Sequence, residues 1–169
     1  MIRDAKQIAT LASPIRITLI DTLEALGPST IAELAQAVGA RPDALYYHLR
    51  LLEKRGLVSR DANIVRTNAK RAVLAYDAGD KRNVAAVTRA ASAMLRGALR
   101  AFRNAFRPGV RTSGARRELW AAQRTVRLSA PELETVNRLL NELLDTFGDA
   151  REVRSGERLY SLTFVLAPQ

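Results

Sequence analysis

Asp43, Tyr47, Arg50 and Lys54 recur at i, i+4, i+7 and i+11, a spacing that lines one side of an α-helix. Leu45, Leu49 and Leu52 recur at i, i+4 and i+7 on the opposite side, and Tyr46 falls at the flank. The chemistry these residues offer is recognition rather than bond making. An arginine can grip the O6 and N7 edge of a guanine, and a tyrosine can meet a thymine methyl or a phosphate. A lysine suits the phosphate backbone. The same pattern would also serve the solvated face of an ordinary amphipathic helix.

A second set is basic throughout. Arg82, Arg89, Arg96, Arg100, Arg103 and Arg107 follow one another at helical spacing, so they line one narrow face of a predicted helix over 80–107. Val84, Val87, Ala91, Met94, Leu95, Ala98, Phe102 and Phe106 are expected on the opposite face, packed in the core or against a partner helix. The net charge of +10 resides here: residues 81–117 hold ten Lys and Arg and no Asp or Glu. The remainder has seventeen of each sign and is neutral. Such a block points to a polyanionic partner, nucleic acid before anionic lipid. The six arginines are candidate phosphate or anion contacts. Solubility alone would explain a mixed-sign face better than this one.

Catalysis is not expected. The chain has no cysteine, which excludes disulfides, thiolate metal sites and a cysteine nucleophile, and His48 is its one histidine. No Gly-rich phosphate loop, G-x-S-x-G elbow or HExxH motif is present. No metal and no cofactor is expected. No apolar run is long enough to span a membrane and the N-terminus has no apolar signal core, so a cytoplasmic protein is expected, without a membrane partner.

The elements that must position these residues are legible in outline. A short helix over 4–11 precedes Ser13-Pro14, which opens a helix carrying Ile17, Ile20, Leu23 and Leu26 and ending at Gly27-Pro28. Thr30-Ile31-Ala32-Glu33 is a capping box for a third helix, with Ile31, Leu34, Ala35 and Val38 inward and Gly39 at its end. After Arg41, Pro42 starts the fourth helix, which Gly56 stops. Residues 57–60 and 72–76 read as two strands joined by a basic loop with Arg66, Lys70 and Arg71, which together make a wing. Beyond a basic linker over 110–117, Glu118 to Leu128 reads as a strand. Ser129 to Glu132 caps a helix with Leu133, Val136, Leu140, Leu143, Leu144 and Phe147 inward. Tyr160, Leu162, Phe164 and Leu166 alternate as a final strand. Trp120 and Tyr160 are core aromatics or the lining of a pocket.

The fold class is therefore α+β, mainly α. Residues 1–78 form a winged helix-turn-helix, 79–117 a long basic helix and linker, and 118–169 a strand-helix-strand segment. That last segment has an expected effector-binding or dimerisation role. The candidate DNA-binding set is Arg41, Asp43, Tyr46, Tyr47, Arg50, Lys54, Arg66, Lys70 and Arg71.

Three stretches also resemble the ArsR-like winged helix regulators: Leu11-Ala12-Ser13-Pro14-Ile15-Arg16, Ile31-Ala32-Glu33-Leu34-Ala35, and Leu45-Tyr46-Tyr47-His48-Leu49-Arg50-Leu51-Leu52-Glu53-Lys54-Arg55-Gly56-Leu57-Val58. Order and spacing are similar over about the first 76 residues, with Tyr46 where that family often has serine. The resemblance implies a homodimeric repressor that leaves double-stranded DNA when a small-molecule effector binds. With no cysteine and one histidine, metal sensing does not carry over. His48 resembles the family's motif histidine, and its angle near the leucine face marks it as a packing or hydrogen-bonded residue. The other classes consistent with the sequence are a non-specific RNA-binding or architectural nucleic-acid protein and a winged-helix protein-interaction module.

Overall fold

The structure is a computed structural model that describes residue 2, residues 4–68, residue 74, residues 76–146 and residues 158–168. These fall into two compact units, one from residues up to 103 together with 158–168, the other from 104–146.

The first unit opens with helix α1 (Ala5–Thr10), whose free amides of Lys6 and Gln7 donate to the Asp4 carboxylate. Helix α2 (Pro14–Leu26) has proline at its first position and stops at Gly27. A two-residue strand β1 (Ser29–Thr30) runs directly into α3 (Ile31–Val38). The capping box is complete: the Glu33 amide donates to the Thr30 hydroxyl at 3.2 Å, and the Thr30 amide donates to the Glu33 carboxylate at 2.7 Å. The Thr30 amide, and after it the Thr30 hydroxyl donating at 2.8 Å, hold the Glu33 carboxyl below its usual pKa. Helix α4 (Pro42–Lys54) leads into strands β2 (Val58–Asp61) and β3 (Ile64–Thr67). The three strands form an antiparallel sheet in the order β1-β3-β2. Its core contains Ile8, Leu19, Ile20, Leu23, Leu34, Leu45, Leu52 and Val65, all fully buried. The fold is α+β and mainly helical, with an N-terminal helix-turn-helix and a small sheet.

The wing is tighter than expected. Asp61 pairs with Ile64, so the hairpin turns on Ala62 and Asn63 alone, with Ala62 at φ 50°. The returning strand is Ile64–Thr67, not 72–76. Arg66 consequently sits in a strand rather than in a loop. Of the expected strand, Leu74 forms an isolated parallel bridge with Ile2, Tyr76 is exposed, and the other positions lie outside the described residues, as do Lys70 and Arg71.

Helix α5 (Lys81–Asn104) ends three residues before Arg107, which therefore lies off the helix. It also turns a partly different face inward: of the expected apolar set, Val87 is buried and Met94 packs against the core. The buried residues are Asn83, Ala86, Val87, Ala90 and Ala93, and a Cβ on Gly97 would lie 3.9 Å from Pro14. The small side chains of this face pack against the core, and the bulkier stripe is left outside. Val84, Leu95 and Phe106, expected in the core or against a partner, are exposed, and so is Leu99.

The second unit holds α6 (Ala130–Thr146), whose start is capped as expected: the Ser129 amide and hydroxyl both donate to Glu132, at 2.7 and 2.6 Å. The flanking strands do not form. Glu118 to Leu128 and Tyr160 to Leu166 are irregular among the described residues, because neither finds a partner strand. Phe147 lies outside the described residues.

Candidate nucleic-acid interface

The turn between α3 and α4 depends on Gly39, whose φ of 65° and ψ of 38° place it in the left-handed region. The Ala40 amide then donates back to the Ala35 carbonyl at 2.9 Å. Arg41 follows in extended conformation and Pro42 starts α4. Leu45, Leu49 and Leu52 are buried, which fixes the roll of the helix and turns the other side outward.

That outward side contains the expected residues. Asp43, Tyr46, Tyr47, Arg50 and Lys54 are all exposed, Tyr47 at 64%. Arg41 is exposed too, but it is engaged: its Nε and Nη2 donate to the two Asp43 carboxylate oxygens at 3.2 and 3.0 Å. A phosphate approaching Arg41 therefore competes with Asp43 for the same donors. Arg50 has no such partner among the described residues. His48 is half-buried beside the leucine face and meets the Tyr47 ring edge-on at 5.4 Å between centroids. Its Nδ1 is buried without a hydrogen bond. Burial, with a smaller push from the nearby Arg16 charge, lowers its pKa. His48 is thus a packing residue and not a hydrogen-bonded one at that nitrogen.

Two sets of contacts hold the wing and helix in place. Asn68 spans the base of the wing, donating from Nδ2 to the Gly56 carbonyl and accepting from the Ser59 hydroxyl, both at 3.2 Å. At the far end of α4, the Gln7 side chain donates to the Arg55 carbonyl at 2.8 Å. Residues opposite each other across the hairpin share a face. Arg66, opposite Ser59, is on the face away from buried Val65. Arg60, opposite Val65, lies 3.6 Å from Glu53 of α4. The sequence reading missed Arg60 and Gln7, and neither carries a local signal. Each acts through a partner far along the chain or on another element.

A crevice of about 20 Å³ is lined by Leu11, Ile17, Ile20, Asp21, Leu74 and Met94. That is room for about one water, far below the roughly 300 Å³ at which ligand pockets begin. Its apolar walls push the Asp21 pKa up to about 6. Asp21 nevertheless has much of its surface open to solvent, which blunts the effect. The folded state then holds the Asp21 proton more tightly than the unfolded chain. Stability from this group is full at low pH and is lost as pH rises from about 4 through 6. Asp21→Asn should melt higher than the parent protein at pH 7 and equally at pH 4, as followed by circular dichroism. A gain that persists at pH 4 would contradict this origin.

In the second unit Trp120 is 66% exposed, and the Arg117 guanidinium stacks over it at 3.7 Å. Tyr160, among 158–168, is exposed as well, so neither aromatic is core or pocket lining. The described residues contain no group of three or more His, Asp and Glu placed to hold a metal ion. Among them, no helix is long and apolar enough to cross a membrane.

A family model described as "Helix-turn-helix domain" matches residues 11–61. No curated protein matches significantly. Among solved structures, the chain is similar to a MarR family protein of Mycobacterium tuberculosis at 19% identity. The alignment covers 79% of this chain and 72% of that one. Its TM-score of 0.29 is too low to support an argument from that likeness. Residues 11–61 are a helix-turn-helix domain. With the β2–β3 hairpin behind it, the chain carries a winged helix-turn-helix.

Proposed function

We propose that this protein is a sequence-specific, homodimeric regulator of transcription, an ArsR-like repressor whose α4 enters the major groove of double-stranded DNA. The observation that carries this reading is the split of α4. Three buried leucines face the core, and Tyr47, Arg50 and Lys54 stand outward at the end of a helix-turn-helix. Arg50 reads a guanine edge, Tyr47 a thymine methyl or phosphate, and Lys54 and Arg66 the backbone. One such helix reads too few bases for an operator. Two copies about 34 Å apart read a palindrome, and the exposed apolar residues of α5 supply a face for the second copy. The protein performs no catalysis in this reading. Release by a small non-metal effector rests on the family resemblance alone. A non-specific architectural role is the second reading, favoured by the unpaired arginines of α5.

Selection of bound duplexes from a random pool at about physiological salt decides between these readings. A recovered palindrome establishes the regulator. Binding without a common sequence establishes the architectural protein, and no binding removes both. On a recovered site, Arg50→Ala should weaken binding by about 1–3 kcal/mol and relax the preference at one base pair per half-site, while affinity for random duplex changes little. Equal losses on both duplexes would move Arg50 to the phosphate backbone.

A further inference from the structure

Helix α5 presents three separate faces, and its charged face has no internal use. At 100° per residue, Arg82, Arg89, Arg96, Arg100 and Arg103 fall within about 60° of arc. The buried face, from Asn83 to Ala93, adjoins this edge and is centred about 110° from it, and the exposed apolar residues Val84, Leu95 and Leu99 occupy the remaining side. All five arginines are exposed. Four arginines elsewhere in the chain are neutralised. Arg41 pairs with Asp43, Arg60 with Glu53, Arg111 with Glu118 and Arg138 with Glu142. None of the five on α5 has a carboxylate partner among the described residues, and α5 itself contains no acidic residue. Five unneutralised guanidinium groups on one edge repel one another, which is tolerable only if the edge is well solvated or meets a polyanion.

We infer that this edge is a second duplex-binding surface, one that grips phosphates and reads no bases. The inference rests on the DNA-binding reading above and adds a contact region to it. Three features favour a duplex. From Arg82 to Arg103 the helix rises about 32 Å, close to the 34–36 Å of one duplex turn. Duplex DNA offers one charge per about 1.7 Å of axis along that length. Residues 81–103 also belong to the same compact unit as the helix-turn-helix, so one body carries both surfaces. A bilayer surface fits less well, because an in-plane helix immerses a broad apolar face. On α5 the exposed apolar residues Val84, Leu95 and Leu99 make only a narrow stripe, while Ala86, Val87, Ala90 and Ala93 are packed against the core.

The test uses the full chain and a fluorescein-labelled random-sequence duplex of about 30 base pairs, titrated at several salt concentrations. Its partner is the variant Arg89→Gln/Arg96→Gln/Arg100→Gln/Arg103→Gln, which replaces exposed residues with good helix formers. Every phosphate that the protein no longer neutralises should flatten the log–log salt slope by about 0.9. With four charges removed, the slope should flatten by up to about 3.6, and the variant should bind roughly tenfold weaker or more. The matching Arg→Lys quadruple variant should keep the slope, which separates an effect of charge from an effect of misfolding. The base preference recovered by selection should survive in the Gln variant. Equal slopes for parent and Gln variant would overturn the inference while leaving the reading of α4 intact. Failure of the parent protein to bind any duplex would sink both. Arginine-dependent binding to phosphatidylglycerol vesicles, with duplex binding unchanged by the four substitutions, would also overturn it and assign the edge to lipid.

Discussion

Leu52→Ala is expected to destabilise the winged helix by about 2–5 kcal/mol. Leu52 is 0% exposed and lies on the inward side of α4 among Leu45, Leu49 and the other core residues. Truncation removes the transfer free energy of three carbons and leaves a void that a close-packed core fills only in part. Domains of this size have total stabilities on the order of 5–15 kcal/mol, so the loss is a large share. Thermal melting should fall by roughly 10 °C or more. Because Leu52 fixes the roll of α4, DNA reading should fail at temperatures where the parent protein is still folded. A melting point within about 3 °C of the parent would mean that α4 is not packed through its leucines.

The second large effect is on assembly. Leu99→Glu should convert a dimer into a monomer without lowering the melting point of the monomer. Leu99 is 60% exposed on α5, one turn from exposed Leu95, so a carboxylate there disturbs nothing within one copy. It can pair along the helix surface with Arg103, four residues on. If a second copy covers this stripe, the carboxylate must instead be desolvated in an apolar seam. A central interface residue of this kind commonly carries about 2 kcal/mol or more, which raises the dimer dissociation constant about thirtyfold. Sedimentation equilibrium should show the mass halve at micromolar protein, and binding to a palindromic duplex should fall with it. An unchanged mass would place the dimer seam elsewhere or show that the protein acts as a monomer.

The elements written in local chemistry were the legible ones. Ser13-Pro14, the Thr30–Glu33 box, Gly39, Pro42 and the Ser129–Glu132 cap each rest on residues a few positions apart, and each is found where the sequence places it. The outward set of α4 followed from three leucines at i, i+4 and i+7. Less legible features depended on distant partners. Ile64-Val65 is too short a run to announce a strand, and Ala62-Asn63 lacks the glycine that usually marks a two-residue turn. The longer apolar run over 72–76 therefore drew the reading to the wrong place. Ser29 and Thr30 form a strand only because β3 lies beside them. Along α5, side-chain size misled: the sequence argued for burial of Leu95, Phe102 and Phe106, while close packing selected Ala86, Ala90 and Ala93. Trp120, Val126 and Leu162, Phe164 alternate convincingly, but alternation without a partner strand does not make a sheet.

The bond from Gln7 to the Arg55 carbonyl ties the start of the chain to the end of α4, across 48 positions of sequence. The last carbonyls of a helix are ordinarily left to water or to a glycine cap. Here one of them is moored to α1, which is itself anchored by fully buried Ile8. Mechanically, α1 works as a tiller: a load, tag or deletion at the front of the chain bears on the pitch of α4 without touching any of its outward side chains.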